Sequence, residues 1–165
     1  MKIPVKMVGL AALLMSLCAG SAQARNDTYF LPIQDALKAN KLQLDAAIRL
    51  YYADQPHPDV EATLRKGQVA HKKGQGSSYK HHEESIARPN KESVEKDDKE
   101  GCNLAMQTAL HHLQEQAYRM GGNAVINIES YYRKKAFRSA DKFECHAGRS
   151  GASVALRGDI VKLKR

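Results

Sequence analysis

The sequence predicts an α+β fold: one small antiparallel or mixed sheet of four to five strands packed against a single long helix, with a short helix near the N-terminus. Three observations predict it. Met106, Leu110, Leu113, Ala117 and Met120 recur at alternating spacings of four and three, which places them in one stripe on a helix. "GGNAVINIE", from Gly121, follows at once, with two glycines and then an alternating apolar run. Similar alternation returns in "IRLYY" from Ile48 and in "ASVALR" from Ala152, each bounded by turn residues.

The elements follow in order. In "YFLPIQDALKANK", Pro32 suits the first turn of a helix, Ile33, Ala36 and Leu37 share a face, and Asn40 marks a stop. Ile48, Leu50 and Tyr52 alternate with Arg49 and Tyr51 as in a half-buried strand, and "QPHPD" breaks it, because two prolines one residue apart do not sit in a ladder. A further strand is expected between residues 64 and 72. Residues 74–99 are charged, carry Gly and Ser and few apolar side chains, and so bury too little to offset their ordering entropy; a long mobile loop within the domain is expected there.

The long helix is expected over residues 99–120. Asp97 with Glu100 matches a capping box, Arg119 sits in the last turn, and Gly121 or Gly122 supplies the left-handed residue that ends it. Gly121, Gly122 and Asn123 then form a structural turn. In the following strand Ala124, Ile126 and Ile128 are expected to face the helix, with Asn127 and Glu129 facing away. "RKKAFRSADK" is a basic turn, "FECHAG" a short strand or turn, and residues 151–165 a closing strand with Val154 and Leu156 on one face, Arg157 on the other and a bulge at Gly158.

The first 24 residues are set apart as a signal peptide. Lys2 and Lys6 precede an apolar run too short to span a membrane, and "SAQA" ends in a small-x-small pattern. Cleavage after Ala24 leaves residues 25–165 as a single domain exported to the periplasm. Cys18 raises the alternative of a lipoprotein, which the bulky Leu17 before it disfavours. Removing Lys2 and Lys6 from the 26 basic residues leaves 24 against 18 acidic ones, about +6, enough to favour weak association with anionic envelope surfaces. Of the three cysteines, export leaves Cys102 and Cys145. In an oxidising compartment the simplest reading is one disulfide, closing a loop of roughly 44 residues; two free buried thiols are the alternative.

No constellation for catalysis stands out. The chain has no phosphate-binding glycine loop, no G-x-S-x-G, no H-E-x-x-H and no C-x-x-C. His111 and His112 are neighbours on the helix, about 100° apart, and do not share an ion from that helix. His81 and His82, beside Glu83 and Glu84, together with Cys145 and His146, are the residues a Zn²⁺ or Cu²⁺ site would use. Nucleic acid is not an expected partner, since no basic recognition helix is present and export removes the chain from the genome.

"CNLAMQTALHHLQEQAYRMGGNAVINIESYY", then "FECHAG", then "VALRGDIVKL", resembles a family of small exported bacterial proteins that carry the label "excinuclease ATPase subunit". The nucleotide-binding motifs and paired zinc cysteines that label calls for are missing from this chain. The helix ending in A-x-x-x-G-G-N-A-V-I-N-I is also similar to the core of YbjQ-like proteins and of the RcsF-like envelope-stress domain. The resemblance, with the lack of a catalytic constellation, points to a non-enzymatic periplasmic module that binds envelope proteins in stress sensing or assembly; it implies homo-oligomers in some relatives, and no cofactor is expected. It departs from RcsF-like chains in having two mature cysteines rather than four. The alternative is a metal-binding or metal-responsive module built on His and Cys.

Overall fold

The computed structural model describes residues 25–39, 42–73, 91–148 and 151–164. It is α+β, with a mixed seven-stranded sheet and one main helix. The strands are β1 (Asp27–Pro32), β2 (Arg49–Tyr52), β3 (Val60–Lys73), β4 (Ala124–Tyr132), β5 (Lys135–Phe137), β6 (Lys142–Gly148) and β7 (Gly151–Leu163); the helices are α1 (Ile33–Lys38) and α2 (Lys91–Arg119). Two strands go beyond the expected four to five. β1 ends at Pro32, in a segment where sequence reasoning placed only a helix, and β5 lies inside the basic turn, paired to the end of β4.

β7 organises the sheet. β3 runs antiparallel along its length, from Val60↔Leu163 to Lys73↔Ser153. β4 pairs with residues 156–161 of β7 and β6 with residues 151–153, so both use the opposite edge. Where β4 and β6 meet, the Ser130 hydroxyl accepts the Glu144 N–H at 2.9 Å. β2 joins β4 in parallel and β1 closes the other end on β6, antiparallel.

α2 lies across one face of this sheet. The predicted stripe is its buried side: Met106, Leu110, Leu113 and Ala117 are fully buried, and Met120 packs at the margin. They meet Val125 and Ile128 of β4, Phe143 and Cys145 of β6, and Val154, Leu156 and Ile160 of β7. Burial of this kind is worth roughly 1.5–3 kcal/mol per large side chain.

α2 begins eight residues earlier than expected, which corrects both the capping box and the loop boundary. Asp97 and Glu100 lie inside the helix, and the expected loop loses residues 91–99 to it; residues 74–90 lie outside the described residues. Two sets of contacts hold the extension. Asp98 is buried and accepts two hydrogen bonds from Arg25, at 2.5 and 2.9 Å, and one from the Tyr29 hydroxyl at 2.9 Å. Lys99 pairs with Glu95 one turn earlier at 2.8 Å.

The strand after α2 also corrects the expected facing. Asn127 has φ +53°, and β4 advances three residues from Ile126 to Glu129 while β7 advances two. This bulge shifts the alternation. Val125 and Ile128 face the helix, whereas Ala124 and Ile126 join Val161 and Leu163 in a small cluster on the other face. The bulge expected at Gly158 therefore sits on its neighbour. A Cβ at Gly158 would lie 2.8 Å from Val125 Cγ1 and 3.1 Å from Ile126 O, so the glycine makes room for the bulged strand.

Candidate functional site

The face of the sheet away from α2 has no second layer of secondary structure among the described residues, yet it is not bare. Arginines, carboxylates and tyrosines roof it. Glu129 and Arg157, one residue beyond Ile128 and Leu156 on their strands, both fall on this face. Glu129 is buried and is gripped through its Oε1 by Arg157 Nε and Nη2. Its Oε2 accepts from Arg138 Nη1 at 3.3 Å. Arg138 in turn forks onto Asp54, at 2.5 and 3.3 Å. That pairing holds the Asp54 carboxyl below its usual range and raises the Arg138 guanidinium. Arg157 also lies 4.1 Å above the centre of the Tyr131 ring.

The bulge supplies the other wall. Asn127, held left-handed, donates to Asp159 at 2.9 Å. Asn127, Glu129, Arg138, Arg157, Gly158 and Asp159 line a depression of about 340 Å³. Its two guanidiniums are matched by carboxylates, so it is a satisfied ion network with little field left for a free anion. Sequence reasoning placed Glu129 and Arg157 outward but had no signal for their pairing, because β4 and β7 contribute one residue each across a register the bulge sets.

A second cluster lies beside it. His146 is nearly buried, stacked on Tyr132 with ring centres 3.6 Å apart and 19° between planes. Its Nε2 is 2.8 Å from Glu144 Oε1, and its Nδ1 is 3.2 Å from Thr28 Oγ1.

A third feature ties the N-terminal strand to the helix. Arg25 and Tyr29 converge on Asp98, and burial together with this carboxylate pushes the Tyr29 phenol up to about 12. The opposite side of α2 carries a groove of about 650 Å³ lined by residues 43–46 and by His111, Gln114, Glu115, Tyr118 and Arg119. Glu115 of this groove also pairs with His112 at 3.6 Å.

The sheet's longest free edge belongs to β3. It runs fourteen residues and is paired only to β7 among the described residues. Three register shifts interrupt its first half; residues 68–73 then pair without a break. Val60 and Leu64 are exposed.

The predicted site residues divide as follows. Cys102 on α2 and Cys145 on β6 lie at disulfide distance, Sγ–Sγ 2.06 Å, facing each other across the core. His146, the next residue, points to the other face of the sheet, so Cys145 and His146 are not brought together. His81 and His82 lie outside the described residues. No group of three metal-ligating side chains occurs among the described residues.

At the turn, Gly121 has φ +73° and donates to Tyr118 O at 3.0 Å, while Gly122 donates to Ala117 O at 2.9 Å, the paired bonds of a Schellman motif. Asn123 extends the ladder with its side chain: Oδ1 accepts Leu163 N–H at 2.7 Å and Nδ2 donates to Leu163 O at 2.9 Å.

No family model, curated protein or solved structure matches the chain.

Proposed function

We propose that the protein is a non-enzymatic, protein-binding module of the bacterial envelope, acting in stress sensing or assembly, and that the outward edge of β3 is its contact surface. The single observation that carries this reading is the side of a fourteen-residue strand that is unpaired among the described residues. An edge of that length offers a row of backbone donors and acceptors that an extended segment of a partner completes as an added strand. Val60 and Leu64 add apolar area at its start. "RKGQVAHKK" from Arg65 carries no acidic residue, which favours a partner of opposite charge. The satisfied ion network of the outer face and the sequence resemblance to RcsF-like modules fit a binding role better than a catalytic one.

The test is a photo-crosslinking side chain in place of Leu64, activated in intact cells, with the same group at the exposed Gln34 of α1 as the control. A specific adduct with an envelope protein from position 64 and not from 34 is the expected result. Recovery of nothing, or of the same background from both positions, overturns the reading.

A further inference from the structure

We propose that Thr28 is a base-activated hydroxyl that accepts an acyl group from a carboxylic ester, with His146 as its base and Glu144 as the group that orients the base. This inference is independent of the β3 edge.

The register of β1 on β6 sets Thr28 directly opposite His146. Glu144 is two residues before His146 on β6 and so projects to the same face. Three side chains thus form a line: Thr28 Oγ1 to His146 Nδ1 at 3.2 Å, and His146 Nε2 to Glu144 Oε1 at 2.8 Å. For the neutral imidazole, the chemistry of the partners sets the direction of each bond. A carboxylate only accepts, so Nε2 of the neutral imidazole carries the proton. Nδ1 then presents a lone pair, and the Thr28 hydroxyl is the donor to it. A hydroxyl donating to an imidazole whose other nitrogen is held by a carboxylate is the arrangement that activates an oxygen nucleophile.

The surroundings hold the base still and leave the nucleophile reachable. Tyr132 stacks flat on the imidazole, and the Arg133 guanidinium lies 5.4 Å from the centre of the same tyrosine ring. The side chains of His146 and Glu144 are only 10% and 15% exposed, whereas Thr28 is an exposed residue of an end strand. The ring is therefore shielded from water while the hydroxyl meets solvent-borne substrate.

The step balances without a cofactor. Thr28 Oγ1 bonds to the ester carbonyl carbon as its proton passes to Nδ1, and Glu144 stabilises the imidazolium. The tetrahedral intermediate then expels the ester's alkoxide, which takes the proton from Nδ1. The products are a Thr28 acyl ester and an alcohol. The carbonyl oxygen develops its charge toward open solvent, so the expected chemistry is slow, stoichiometric capture.

The full chain treated with p-nitrophenyl acetate tests this by intact mass and peptide mapping. The expected result is one acetyl group on Thr28, retained in Thr28→Ser. Thr28→Val should abolish acetylation at position 28, and His146→Gln should lower its rate by about a hundredfold, the lower range of general-base assistance. Thr28→Val is isosteric at an exposed strand position, so its melting should match the parent and its result stands even if His146→Gln unfolds. Absence of acetyl on Thr28, acetylation confined to lysines, or a Thr28→Val protein that takes up as many acetyl groups at the parent rate would each overturn the proposal.

Discussion

Gly121 and Gly122 are adjacent and look interchangeable in sequence, but they are glycines for different reasons. Gly121 is the left-handed residue; a Cβ there meets nothing within 4 Å, so its constraint is conformational. Gly122 is not left-handed; its Cβ would sit 3.0 Å from Val161 O and 3.1 Å from Ile160 Cγ2, so its constraint is space. Gly121→Ala should therefore cost about 1–2 kcal/mol and Gly121→Asn distinctly less, since asparagine tolerates the left-handed region. At Gly122 the order depends on size, with Gly122→Val worse than Gly122→Ala. Denaturant unfolding of the four variants checks both orders, and equal costs for Ala and Asn at position 121 would refute the first. That one of the pair ends the helix was legible, because the apolar stripe stops at Met120. Which one was not, since the distinction depends on how closely β7 approaches. Asn127 is the same case: "NAVINIE" alternates evenly in sequence, and only pairing with β7 around Gly158 makes one residue surplus.

At the scale of elements, α2 carries two kinds of buried side chain. The apolar stripe was legible from spacing alone. Gln107 and Gln114, two turns apart, were not singled out, yet both are almost fully buried. Gln107 donates to Ala36 O at 2.6 Å and accepts Leu42 N–H at 3.1 Å. Gln114 accepts Asp45 N–H at 2.9 Å and donates to Asp45 O and Ile48 O at 2.8 and 2.7 Å. The helix thus supplies the hydrogen bonds that the irregular backbone between α1 and β2 does not make with itself. Gln114→Leu keeps the packing volume but strands three backbone groups, so it should destabilise by about 3 kcal/mol. Amide exchange should quicken over residues 42–48 before the rest of the chain; unchanged protection there would show that the glutamine is not what holds the segment. The start of α2 was illegible for a related reason. Residues 91–98 carry almost no apolar pattern, and a distant arginine and tyrosine anchor Asp98.

For the whole molecule, the sulfur pair joins the two layers partway along α2. Cys102 and Cys145 are 43 residues apart in sequence with Cα atoms 5.8 Å apart, and both are fully buried. Closing a loop of that length stabilises by about 4 kcal/mol in the chain-entropy account. Reductant, or the Cys102→Ala/Cys145→Ala double variant, should lower the unfolding free energy by about that amount. Alkylation of the folded protein without reductant should modify neither thiol. Ready alkylation of both would refute the pairing. The sheet around this link is mixed because β2 enters parallel to β4, guided by the bond from Arg49 N–H to Asn123 O at 3.0 Å.

The sequence by itself determined the class of fold, the helix stripe, the turn that follows it and the two cysteines as candidates for pairing. Each of these is written in neighbouring residues, where periodicity and backbone preference act over one or two turns. Tertiary structure decided strands β1 and β5, the facing of β4, the depth of Asp98 and the gathering of Thr28, Glu144 and His146 at one spot. Those depend on the register of strands far apart in the chain. A one-residue bulge in that register exchanges inside for outside, and no local pattern carries that information.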